Sequence, residues 1–513
     1  MLACVHGYTI VGMDPHLIEV EVDVSGGLPE FTIVGLPDAT VKESKERVRT
    51  AIKNAGFDFP PRKIIVNLAP ADIKKEGPGF DLPIAIGILA ATQQLRTASL
   101  PQFLFAGELS LDGSIRGIPG ILPMALYTGK LQNKTLIVPE DNRGEASLAP
   151  EAAYCFRKLS EVVKFLEKPH LYPKVSPQSL EQLLKEQKEI VHDFADVRGQ
   201  QLAKRALEVA AAGGHNVLLI GAPGCGKSML AKCLPGILPP LTPEEALEVS
   251  QVYSIAGLLS KDRPLVTSRP FRAPHHTASV ASIIGGGANP TPGEVTLATH
   301  GVLFLDEVPE FRRDVLESLR QPLEEQQVTI SRISAVITYP AQFQLIAAAN
   351  PCYCGYYGDQ SRECTCTPYQ VQKYRNKLSG PLLDRIDLHV EVARLDYQEI
   401  QSHKEEESST QVRARVNSAR LRQLQRFAGM PITCNAQMSH KEVRKYCQLS
   451  EEGKSLLRKV YTTFGLSVRA HERILKLART IADLANSDEI SMTHLAEALQ
   501  YRSLDRRKDV GAD

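Results

Sequence analysis

Apolar positions in the middle of the chain fall into short, unbroken runs. Val217-Leu-Leu-Ile220, Val302-Leu-Phe-Leu305 and Gln344-Leu-Ile-Ala-Ala-Ala349 are bounded by polar residues or glycine, the pattern of strands buried on both faces. Helical periodicity lies between them: Gln201 to Ala212, which stops at Gly213-Gly214, then Met229 to Leu234, then Arg312 to Gln321. Val328-Thr-Ile-Ser-Arg-Ile and Ala335-Val-Ile-Thr-Tyr predict a β-hairpin with Arg332 near its tip. Towards the N-terminus the period changes to two. Ile18-Glu-Val-Glu-Val-Asp-Val alternates as a half-buried strand does, Thr32-Ile-Val and Lys63-Ile-Ile-Val-Asn-Leu predict two more strands, Ala39 to Ala55 a helix, and Leu82 to Ala91 a buried helix. The C-terminal part is helical. Leu456, Val460 and Phe464 share a stripe, Ile474, Leu477, Ala478 and Ile481 repeat at i, i+3, i+4, i+7, and Leu495, Ala498 and Leu499 supply a third helix.

These shifts of period divide the 513 residues into an α+β domain over 1–170, a polar linker with two prolines over 171–190, an α/β domain over 191–395 and a helical domain over 396–513. The net charge is +1, so any surface for nucleic acid has to be local. The longest apolar run, Leu82 to Ala91, is too short for a bilayer, and ten cysteines without an export signal point to a reducing cytoplasm.

The chemistry concentrates where the first buried strand ends. Gly221, Ala222, Pro223, Gly224, Cys225, Gly226, Lys227 and Ser228 match G-x-x-x-x-G-K-[ST], between a strand and a helix. Glycines turn backbone N–H groups toward a phosphate, and a helix N-terminus adds positive potential. Lys227 then reaches the β- and γ-phosphates of ATP, and Ser228 ligates Mg²⁺. The bland alternative is a surface glycine loop. Asp306 and Glu307 end the second run, 79 residues past Lys227. Asp306 is the second Mg²⁺ ligand and Glu307 the general base for water; a core strand with a solvated end is the alternative. Asn350 ends the third run, where a polar side chain can orient the lytic water. Cys352, Cys354, Cys364 and Cys366 form two C-x-C pairs around a Gly-, Tyr- and Asp-rich loop. They are candidate ligands of a four-cysteine Zn²⁺ site, or else reduced loop thiols.

Taken together, these segments resemble AAA+ ATPases, and along nearly the whole chain they resemble the YifB/ComM family related to magnesium chelatase. The resemblance implies an α/β fold: an AAA+ P-loop core, a C-terminal helical lid, and an N-terminal α+β domain like that of Lon protease (ribosomal S5 domain 2-like). Gly380-Pro-Leu-Leu-Asp-Arg385 resembles the arginine-finger segment, which acts on a neighbouring subunit's nucleotide; an ion pair of Arg385 with Asp384 or Asp387 is the ordinary alternative. Arg469 matches the sensor arginine that reaches the γ-phosphate from the lid, with Arg473 as substitute. Where Lon-type peptidases carry serine and lysine, this chain has Gly79 and Leu122, so no proteolysis is expected. The family places a pore-facing insertion at Ser268 to Gly287, where Arg269, Arg272, His275 and His276 are candidate phosphate contacts. Arg413, Arg415, Arg420, Arg422 and Arg426 line one predicted helix as a solvated basic face or a nucleic-acid contact.

The function the resemblance implies is a homohexameric ATP-driven motor on DNA. It would be a helicase for branch migration while transforming DNA recombines, in company with recombinase machinery. A metal-insertion motor like magnesium chelatase and a protein remodeller are the alternatives.

Overall fold

The structure, a computed structural model, describes all residues except 97–98, 150–152, 186–190, 288–290, 332–335, 360–361, 396–405, 465 and 503–513. The hairpin tip Arg332 and most of the polar boundary after residue 395 therefore lie outside the described residues, as does the Phe464 side chain.

The N-terminal sheet has seven strands: β1 (Leu2–Val11), β2 (Asp14–Ser25), β3 (Glu30–Val34), β4 (Lys63–Ala69), β5 (Phe103–Phe105), β6 (Thr135–Pro139) and β7 (Ala153–Phe156). Their spatial order is β3-β4-β2-β1-β5-β6-β7, antiparallel across β1–β2 and β2–β4 and parallel elsewhere. The predicted alternation holds in β2, where Ile18, Val20, Val22 and Val24 are buried and the acidic residues between them are not. The helix Asp81–Ala91 has no polar face because it is buried on nearly every side; only Ala90 is partly exposed.

The second sheet has five parallel strands: β8 (Val217–Ile220), β9 (Phe271–Arg272), β10 (Val302–Leu305), β13 (Gln344–Ala349) and β14 (Leu388–Glu391), in the order β9-β10-β13-β8-β14. The hairpin β11 (Gln327–Ser331) and β12 (Val336–Pro340) stands apart from it. The single helix expected over Arg312 to Gln321 is two, Arg313–Ser318 and Arg320–Glu325. Pro322 has no N–H for the Ser318 carbonyl, so the first helix cannot continue through Leu319.

The two halves meet through a buried carboxylate. Glu145 accepts from the Leu122 N–H at 3.0 Å and from the Ser254 hydroxyl, and the Gly120 N–H donates to the Ser254 carbonyl at 3.0 Å. Leu122, Leu148, Leu241, Ala246 and Leu265 form the apolar patch around it.

The C-terminal helices pack on the second sheet in one continuous core. Here the expected solvated basic face is corrected for four of its five arginines. Arg415 pairs with Glu208 and Glu407, Arg420 donates to the Ala211 carbonyl at 2.8 Å, Arg422 pairs with Asp488, and Arg426 donates to Asp483 at 2.8 Å. These arginines fasten helix Ser409–Arg426 to its neighbours, a role that charge spacing in one helix does not reveal. Asp387 does the same at the start of β14. Burial alone would raise its carboxyl, but Arg473, His215 and the Asn216 N–H outweigh burial and hold it well below the usual carboxylate range.

Asp387→Ala leaves Arg473 without its buried anion and should destabilise the chain by about 3–5 kcal/mol in denaturant unfolding. A depressed folded pKa gives stability that is complete above the unfolded value of about 3.9 and is lost as pH falls below it. The wild-type advantage over Asp387→Ala should therefore hold at neutral pH and shrink in acid.

Candidate functional site

Strands β8, β10 and β13 end side by side, because Ile220 pairs with Ala349 and Leu305 with Ala347. Each is followed by a functional residue, so Gly221, Asp306 and Asn350 gather along the carboxyl edge of the sheet. The loop after β8 turns through left-handed Gly224 (φ 79°) and Gly226 (φ 91°), a conformation that L side chains rarely adopt. Gly226 caps the helix Lys227–Ile237.

Lys227 is buried, and its ammonium donates to the Gly221 carbonyl at 2.7 Å, the Ala222 carbonyl at 2.9 Å and Asn350 Oδ1 at 3.2 Å. Each of these contacts is one that a phosphate oxygen can replace. The Ser228 hydroxyl donates to Asp306 Oδ2 at 2.7 Å, and Asp306 Oδ1 accepts from the Glu307 N–H at 3.0 Å. A hydroxyl and a carboxylate in contact are hard oxygen donors suited to Mg²⁺, so Ser228 and Asp306 would hold that ion. Glu307 is exposed and sits at φ 51°, ψ 46°, a left-handed conformation unfavourable for a side chain of its size. Pro309 and the short helical turn Val308–Glu310 follow it at once.

The two arginines lie elsewhere. Asn216, just before β8, donates from Nδ2 to the Arg385 carbonyl at 2.9 Å. Arg385 is buried at the entrance to β14, donates to the Pro381 carbonyl at 2.6 Å and pairs with Glu324. Arg469 is 61% exposed and approaches the same Glu324 carboxylate at 3.8 Å. The ordinary ion pair with Asp384 or Asp387 is thus corrected to one with Glu324, since Asp387 is taken by Arg473 and His215. The position of Arg469 is corrected as well. It lines a cleft with Arg385, Arg473, Lys476, Arg420 and Glu324, and no residue of 221–228 borders that cleft, nor do Asp306, Glu307 or Asn350. Nothing in the local sequence of Glu324 marks it as the residue that gathers both arginines.

The insertion is also revised. Arg269 donates to the Pro239 carbonyl at 2.6 Å, the His300 carbonyl at 2.7 Å and Glu245 at 2.8 Å, and Arg272 makes a two-bond pair with Glu294 at 2.6 and 2.9 Å. Both arginines serve the fold. His275 is exposed and lies against His276, with ring centres 4.1 Å apart and planes tilted by 35°. In the N-terminal half, Gly79 lies in a short turn before helix Asp81–Ala91, and Leu122 is fully buried.

Cys352, Cys354, Cys364 and Cys366 come together, with all four sulfurs within 4.8 Å of one another. Among the described residues, no helix is long and apolar enough to cross a membrane.

Comparison with known proteins gives one family for three stretches. Residues 193–400 match the magnesium chelatase subunit ChlI family, residues 20–142 match "Subunit ChlI of Mg-chelatase", and residues 406–502 match the ChlI C-terminal family. The chain is 46% identical over 510 residues to the competence protein ComM of Haemophilus influenzae, covering 98% of each. It is 46% identical over 508 residues to the uncharacterized protein YifB of Escherichia coli, again covering 98% of each. A shorter match, 25% identical over 206 residues, covers 37% of the chain and 20% of the DNA replication licensing factor Mcm2 of Drosophila melanogaster.

Lys227→Ala should abolish ATP binding in a fluorescent-nucleotide titration; unchanged affinity would refute the loop's role. Glu307→Gln should keep nucleotide binding and lower turnover by roughly 10²–10⁴-fold, the range for loss of a general base.

Proposed function

The chain belongs to the magnesium chelatase-related family that includes YifB and ComM, and from that premise we propose that it is a ring-forming ATPase that moves DNA. ATPase activity in general follows from the family. The ring and the DNA are our proposal.

The observation that carries the ring is the separation of the arginines from the phosphate loop. β8 and β14 run parallel, with Val217 opposite Leu388 and Ile220 opposite Glu391. Arg385 precedes β14, its carbonyl bonded to Asn216 just before β8, and the phosphate loop follows β8. A four-residue strand is about 10 Å long at about 3.3 Å per residue, so the two features sit at opposite edges of the sheet. A head-to-tail neighbour brings its Arg385 edge to this chain's loop, and repetition of that contact closes a ring. The resemblance favours six subunits.

In this arrangement Lys227 and the N–H groups after Gly224 bind the β- and γ-phosphates. Ser228 and Asp306 would hold Mg²⁺, which would supply positive charge to offset that of the phosphates. Glu307 accepts a proton from the attacking water while Asn350 orients it. Arg385 and Arg469 of the adjacent subunit stabilise charge on the transferring group. Glu324 keeps both guanidinium groups together until a nucleotide competes for them. The proposed domains are a Lon-protease-like region over 1–170, a linker over 171–190, the AAA+ core over 191–395 and the lid over 396–513.

The DNA reading draws on names and on chemistry. One relative is a competence protein, and a partial relative is a DNA replication licensing factor. His275 is exposed at the insertion beside His276, and Arg332 lies in the hairpin loop by sequence. Such contacts would meet phosphates irrespective of base, and binding would weaken steeply with salt. The specific role we propose is branch migration during recombination of transforming DNA, beside recombinase machinery in the cytoplasm.

Two assays test this. ATP turnover should rise with single-stranded, duplex or branched DNA and lose that stimulation as salt increases; no binding and no stimulation by any of the three would leave metal insertion or protein remodelling. Arg385→Ala and Lys227→Ala should each lose roughly 10³-fold or more alone, the scale of an arginine-finger loss. Mixed together they should regain turnover, because some interfaces pair an intact loop with an intact arginine. A mixture as inactive as its parts would refute shared sites.

A further inference from the structure

We propose that Cys352, Cys354, Cys364 and Cys366 bind one Zn²⁺ ion in a closed four-thiolate site, and that this ion braces the segment carrying Asn350 against the phosphate loop. The first half stands without the ATPase reading; the second rests on it.

The sulfur geometry fits a tetrahedral metal. Cys352 and Cys354 sulfurs are 3.3 Å apart, Cys352 and Cys364 3.7 Å, and Cys354 and Cys364 3.5 Å. Four thiolates at the Zn–S distance of about 2.3 Å would stand about 3.8 Å from each other. A disulfide needs about 2.05 Å, and none of these pairs has it. Apolar packing does not explain the convergence either. Cys352 is buried, but Cys354, Cys364 and Cys366 are partly exposed, and the residues between the pairs are mostly Gly, Tyr, Asp and Arg. Such a loop has no core of its own to offset the entropy of ordering it. Zn²⁺ displaces the thiol protons to solvent and supplies four bonds in their place. The four-thiolate donor set favours Zn²⁺ over Mg²⁺, which prefers oxygen.

The loop's position gives the metal a consequence. Cys352 follows Asn350 by two residues, so one ligand anchors the end of β13. On its other side the loop presses on the phosphate loop: a Cβ on Gly355 would lie 2.6 Å from Pro223 Cδ, and Gly355 is left-handed at φ 86°. The Tyr353 ring meets Tyr374 edge-on at 4.8 Å, and Lys377, above Tyr353, reaches Glu310 at 3.3 Å, three residues past Glu307. The closed loop therefore touches the phosphate loop, continues from Asn350 and is linked to the Glu307 turn through Lys377. The ion touches no nucleotide; it positions groups that do.

The experiment uses the full-length chain purified without chelator. Elemental analysis should find about one zinc and no iron per chain, and Co²⁺ taken up in its place should give the intense thiolate-to-metal absorption of a four-sulfur site. Absence of metal with intact turnover, iron in place of zinc, or a disulfide found by mass spectrometry would overturn the site. Cys364→Ser should lose the metal and at least tenfold in turnover, whereas Cys155→Ser should lose neither. Gly355→Ala keeps all four thiols, so it should keep zinc yet lose turnover through its contact with Pro223. Full turnover in a zinc-free Cys364→Ser chain would overturn the bracing role while leaving the metal site. A wild-type chain that holds zinc but hydrolyses no ATP would refute the ATPase reading instead, and with it the bracing.

Discussion

Parallel pairing of Val217–Ile220 with Leu388–Glu391 puts the phosphate loop and Arg385 at opposite ends of the same two strands. That register cannot be relaxed locally. The first three residues of β8 and the first three of β14 are buried, so sliding either strand would carry buried side chains out of the core. Everything else about the site follows from that pairing. The loop with its ammonium and hydroxyl faces one edge, the guanidinium groups face the other, and the chain alone does not bring them together.

Each half is held ready by bonds that a nucleotide or a neighbour can take over. On the loop side, Lys227 is satisfied by two carbonyls and Asn350, and Ser228 by Asp306. On the arginine side, Glu324 receives both Arg385 and Arg469. A buried ammonium or guanidinium left unpaired would cost several kcal/mol, so these internal partners keep the separated halves stable. They also set the direction of exchange: a triphosphate offers more negative charge than a carbonyl or a single carboxylate. The helix Val468–Leu484 carries Arg469 in its first turn and Arg473, which pairs with Asp387, one turn later. Motion of that helix therefore couples the arginine edge to the sheet itself.

The residues that read clearly from sequence are those whose chemistry is local. The phosphate loop, the Asp306-Glu307 pair and Asn350 stand at strand ends because short apolar runs bounded by polar residues admit few other arrangements. The four cysteines converge as their spacing allows. What sequence did not convey depends on contacts between distant segments. Strands β5, β6 and β7 have three to five residues each, too few to show a period. Arg269 and Arg272 looked like phosphate contacts, yet Glu245 and Glu294 bind them; the arginines of helix Ser409–Arg426 looked solvated, yet Glu208, Asp483 and Asp488 hold them. The motif around Arg469 points to the phosphate loop, whereas the packing of its helix puts it beside Glu324. Charge partners far apart in the chain leave no local signature.

Catalysis divided between subunits has a direct physical signature, the dependence of rate on assembly. Turnover per chain measured across a wide range of protein concentration, with mass followed by sedimentation in the same buffer, reads it. The expected result is that dilute monomer hydrolyses almost no ATP and that turnover per chain rises in step with the ring. A monomer that hydrolyses ATP at the full rate of the assembled protein would contradict it.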